Sequence, residues 1–183
     1  MITRSLAVAL MASALAGQAL AQTPPPPVDQ AFLTAVKACT ANVQGNLAFN
    51  PPSDALTAAG VFQADSGSAA DLLAFKDMSA SARIFVSTFS SSGQILAASD
   101  TTQGICRVAA DDVTTPQIAA IQAAVRGLAG DWVPQSNTGG ATTYSGTIGS
   151  SSQLMFEARV PAAGAGYGSA GIILTIMNPA GPG

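Results

Sequence analysis

Histidine is absent from this 183-residue chain, and Lys plus Arg number 7 against 10 Asp plus Glu. Without imidazole, the commonest general base and metal ligand is missing, and a Ser-His-Asp triad is excluded outright. The scarcity of basic residues argues against a nucleic-acid partner, whose phosphates would need a basic stripe. Glu157 is the sole glutamate, so a paired-carboxylate glycosidase would have to be built from aspartates that mostly occupy turn-like segments. Charged residues make up 9% of the chain, against about 25% in a typical soluble domain. Hydrophobic residues are nevertheless an ordinary 48%, spread among Gly, Ser and Thr rather than concentrated. That pattern suits neither a disordered tail nor a membrane bundle.

Long apolar runs are lacking too, which bears on the first segment. Residues 1–21 carry Arg4, an apolar stretch from Leu6 to Ala16 broken only by Ser13, and a small-x-small end at Ala19-Leu20-Ala21. This is the pattern of a secretory signal cleaved after Ala21. As a helix the stretch would rise about 16 Å, roughly half of the ~30 Å hydrocarbon core. The next apolar run, Ala170 to Met177, is shorter still. The expectation is an exported protein, periplasmic or secreted, with no stable membrane insertion after cleavage.

Cysteine is scarce as well, with two residues, Cys39 and Cys106. In an oxidising compartment the two pair with no thiol left over. Their wide separation is unlike the C-x-x-C spacing of redox-active thiols, so a structural disulfide is expected.

What is present divides the chain into a leader (1–21), a proline-rich spacer (22–28), one domain (29–178) and a short tail (179–183). Pro24 to Pro27 favour extended polyproline II. Phe32, Val36, Cys39 and Val43 then recur at helical spacing, with Gly45 and Asn46 as a stop, which predicts a helix over 29–44 with Cys39 facing the core. Ser53 is expected to cap a short helix that Gly60 ends, with Phe62 packed beneath it. Residues 82–90, 94–98 and 105–109 predict three antiparallel strands joined by turns at Ser91-Ser92-Gly93 and Asp100 to Gly104. Ile118, Ile121, Val125 and Leu128 predict a second long helix, capped by Thr115 and Pro116 and stopped at Gly130. A loop to Gly140 is expected next, then strands over 142–148, 154–160 and 170–177. The order of elements does not alternate strand with helix, so the fold class is α+β: an antiparallel sheet of about five to six strands, with two main helices on one side and a single disulfide.

Chemistry-bearing motifs are few. Gly166-Tyr167-Gly168-Ser169-Ala170-Gly171 spells the dinucleotide fingerprint, but the fingerprint requires a following helix and a strand is expected there. Thr34 and Lys37 lie one short helical turn apart, yet Lys37 flanks the apolar stripe of an ordinary amphipathic helix and should be solvated. No G-x-S-x-G or S-x-x-K sequence occurs. Asp111 and Asp112 precede the second long helix, where carboxylates are stabilised by unpaired N–H groups. With Asp100 they are the weak candidates for calcium, although no run has the alternating acidic ligands of a calcium loop. Trp132, Tyr144 and Tyr167, with Phe89 and Phe156, are candidates to line a groove for a ligand. The resulting expectation is a non-catalytic binding or accessory domain for a partner protein or a small apolar or envelope ligand, with no cofactor, no resident metal and no nucleic acid. A small His-independent serine or aspartate hydrolase, or a calcium-dependent adhesion module, are the alternatives. The low net charge also permits self-association through sheet edges.

Overall fold

A computed structural model describes residues 24–64, 73–75, 77–79, 83–110, 113–128, 133–138, 141–147, 155–161 and 171–177. The fold is α+β, as the pattern of elements predicts. Helices α1 (Val28–Val43), α2 (Asp54–Ala58) and α3 (Thr115–Arg126) accompany strands β1 (Phe62–Gln63), β2 (Arg83–Ser90), β3 (Gly93–Asp100), β4 (Ile105–Ala110), β5 (Val133–Thr138), β6 (Ala141–Thr147), β7 (Met155–Pro161) and β8 (Ile172–Met177). All eight strands join one antiparallel sheet in the order β1-β2-β3-β4-β8-β7-β6-β5. Two consecutive four-stranded meanders thus meet at their last strands, and α3 carries the chain from the middle of the sheet out to its far edge.

The sheet has two more strands than the larger number expected, and both lie at its edges. β5 occupies the segment read as a loop, and β1 is two residues long. An edge strand pairs on one side only, so it tolerates residues that a central strand would reject. β5 accordingly contains Pro134 and a register shift between Pro134 and Ser136.

α1 lies across β2, β3, β4 and β8, with α3 packed against α1. Its stripe falls where the spacing placed it: Phe32, Val36 and Cys39 are fully buried and Val43 is partly so. α3 buries Ile118, Ile121 and Val125. The sheet meets this layer with Val86, Ile95, Ala97, Cys106, Val108, Leu174 and Ile176, the alternate residues of four adjacent strands. Cys39 and Cys106 form the disulfide, with Cα atoms 5.4 Å apart, so the bridge ties α1 to β4 inside this core. Cross-linking over a separation of 67 residues stabilises by roughly 4 kcal/mol in the chain-entropy account.

Helix ends follow local chemistry. Thr114 rather than Thr115 caps α3: the Gln117 side chain accepts from the Thr114 N–H at 2.7 Å and from its hydroxyl at 3.0 Å. The helix ends at Gly127, before the expected stop at Gly130. The Gln117 amide also donates to the Ser92 hydroxyl, fastening the β2–β3 turn to the helix start. Ser53 caps α2 by accepting from the Leu56 N–H at 3.4 Å, and Gly60 follows with φ of 75°. Phe62, however, does not pack beneath α2, for it is 47% exposed. Extended backbone alternates its side chains, so the inward position goes to Val61, which joins Leu56 and Phe49 in the core, and Phe62 turns to the opposite face of the sheet.

That second face is covered differently. A 3-10 turn over Leu73–Phe75 and residues 77–79 lie against it, where Ala74, Phe75, Met78, Phe85, Ala98 and Ala109 form a smaller buried cluster. The rings of Phe75 and Phe85 meet edge to face, with centroids 5.4 Å apart. Among the described residues, no helix is long and apolar enough to cross a membrane.

Candidate functional site

Among the described residues, a buried carboxylate, Asp100, and a partly buried guanidinium, Arg107, lie on the second face. Asp100 ends β3 and is fully buried. Its Oδ1 accepts from the Thr102 N–H at 3.0 Å, the Thr102 hydroxyl at 2.6 Å and the Gln103 N–H at 3.2 Å. These bonds shape the β3–β4 turn, in which Gly104 adopts φ of 64°. Its Oδ2 accepts from the Ser79 N–H at 2.8 Å, so one carboxylate also holds the end of the covering segment. Burial by itself raises the cost of charging Asp100, but the Thr102 hydroxyl and the three N–H donors outweigh it, and the carboxyl is held below its ordinary value. A carboxylate held ionised in this way is a weak base, poorly matched to proton abstraction near neutral pH.

Arg107, on β4, reaches the other end of the segment. Its guanidinium donates to the Ala74 carbonyl at 2.7 Å and to both oxygens of Asp77, the Nη2 contact being 3.2 Å. Nε donates to the Thr175 hydroxyl at 2.9 Å, and Thr175 is its register partner on β8. The two sheet residues therefore pin the segment at 74, 77 and 79. Sequence reasoning gave Arg107 no role and treated Asp100 as a weak calcium candidate. The Asp100-Thr101-Thr102 sequence is the usual signature of an Asx turn, but the partner at Ser79, far off in sequence, leaves no local trace.

Among the described residues, Phe62 and Phe89 are exposed aromatics of this face. Phe62 pairs with Ser87 and Phe89 lies two residues further along β2, so both share a face at a diagonal spacing of about 7–8 Å. They are 47% and 57% exposed. Phe89 is one of the groove candidates, whereas Phe62 is expected beneath the short helix, and the strand pairing reveals its direction.

Asp111, Asp112, Trp132 and Tyr167 lie outside the described residues, and so do the first five residues of the Gly166–Gly171 motif. The motif runs straight into β8, so no helix follows to bind a pyrophosphate. Gly171 serves packing instead: a Cβ there would collide with the Val113 side chain and come within 3.3 Å of the Ala110 carbonyl. Tyr144 sits in β6 opposite Ala158 of β7 and Pro134 of β5. Thr34 donates to the Gln30 carbonyl at 3.0 Å and Lys37 is exposed. Among the described residues, no group of three or more His, Cys, Asp or Glu is placed to hold a metal ion. Comparison with family models, curated proteins and solved structures returns no match to this chain.

Proposed function

We propose that this protein is an exported binding or accessory module, periplasmic or secreted, which works by non-covalent contact with a partner protein or a small apolar or envelope ligand. The observation that carries this reading is the exposure of Phe62 and Phe89 side by side on a sheet face where Asp100 and Arg107 are committed to the fold's own framework. Exposed aromatic rings are a common source of contact energy. The leader pattern in residues 1–21 and the buried disulfide support export, since such a bond persists in oxidising compartments.

A paired experiment tests it. The apolar fluorophore 1-anilinonaphthalene-8-sulfonate is expected to bind the folded wild type and to lose most of its signal in the Phe62→Ser/Phe89→Ser double variant. An activated fluorophosphonate is expected to label no serine. Stoichiometric labelling of one serine would overturn the binding reading in favour of a His-independent hydrolase.

A further inference from the structure

We draw no further inference here: the strongest candidate, the exposed Phe62 and Phe89 pair on the second face of the sheet at its β1–β2 edge, belongs to the site already described, and two half-exposed rings fall far short of the ~800 Å² per partner that a stable interface needs, with nothing in the structure to show what covers them.

Discussion

The two faces of the central sheet are closed by different physics. On the first face, α1 and α3 bury a continuous apolar layer and the Cys39–Cys106 bridge runs through it. The second face is closed over Phe85, Ala98 and Ala109 by a short segment with one 3-10 turn, and that segment is fastened by a buried carboxylate and a guanidinium. Helices satisfy their own backbone and bring a broad apolar stripe, so they need only shape complementarity to dock. A segment with little regular structure brings unpaired N–H and C=O groups, and these must find partners when covered. Asp100 supplies one for Ser79 and Arg107 one for Ala74. Asp100 and Arg107 thus act where the backbone of the covering segment cannot satisfy itself.

The contrast is best broken from the first face. Phe32 is fully buried beneath α1, and Phe32→Ala is expected to cost about 3–5 kcal/mol of global stability, read from the urea midpoint. Replacing both cysteines by alanine is expected to cost about 4 kcal/mol through the unfolded chain. If the faces differ as described, Phe75→Ala, although it also removes a fully buried ring, should mainly accelerate amide exchange in residues 74–79 and leave α1 protected. Equal loss of protection on both faces would show that the sheet and its two covers unfold as one unit.

The first face was also the legible one. Spacings of three and four at Phe32, Val36 and Cys39, and again at Ile118, Ile121 and Val125, carry a helical period, and β-branched and aromatic residues over 82–90 mark the first long strand. The cysteine count implied the bridge, and the helix spacing turned Cys39 toward it. Pairing across distance was harder to read. β1 is too short for any period to show, and β5 contains Pro134 with Ser136, Asn137 and Thr138, which are turn residues by composition and are tolerated only because the strand lies at an edge. The direction of Phe62 is hidden for the same reason: without β1, hydrophobicity alone places it beneath α2, whereas its pairing with Ser87 turns it to the second face. The Asp100–Ser79 and Arg107–Ala74 contacts join residues 21 and 33 positions apart, beyond what any local pattern encodes.

Asp100 makes an intermediate prediction with a definite sign. Asp100→Ala removes the charged acceptor of four hydrogen bonds from the Ser79, Thr102 and Gln103 N–H groups and the Thr102 hydroxyl, for an expected cost of about 1–3 kcal/mol. Because the folded carboxyl titrates below its ordinary value, its ionised form favours folding. The stabilisation is complete above the unfolded value of about 3.9 and is lost as pH falls through the lower folded value. Asp100→Asn should therefore be less stable than wild type near neutrality, with the gap narrowing in acid. A gap that stays constant between pH 6 and pH 2 would mean that the carboxylate charge contributes nothing.

The smallest effect separates the two anchors from each other. The side chain of Asp77 is 70% exposed while that of Arg107 is 14% exposed, so their ion pair faces water on one side and is screened by salt. Exposed pairs of this kind contribute about 0.2–1 kcal/mol, and Asp77→Asn is expected to fall within that range and to lose its effect near 1 M sodium chloride. Arg107→Met should cost more and should resist salt, because it also strips a donor from the Ala74 carbonyl and from Thr175, contacts that water does not reach as easily. If both variants respond to salt alike, the guanidinium acts on the second face only as a charge. If they diverge, its role is that of a hydrogen-bonding bracket between β4, β8 and the segment above them, and the ion pair with Asp77 is an accessory to it.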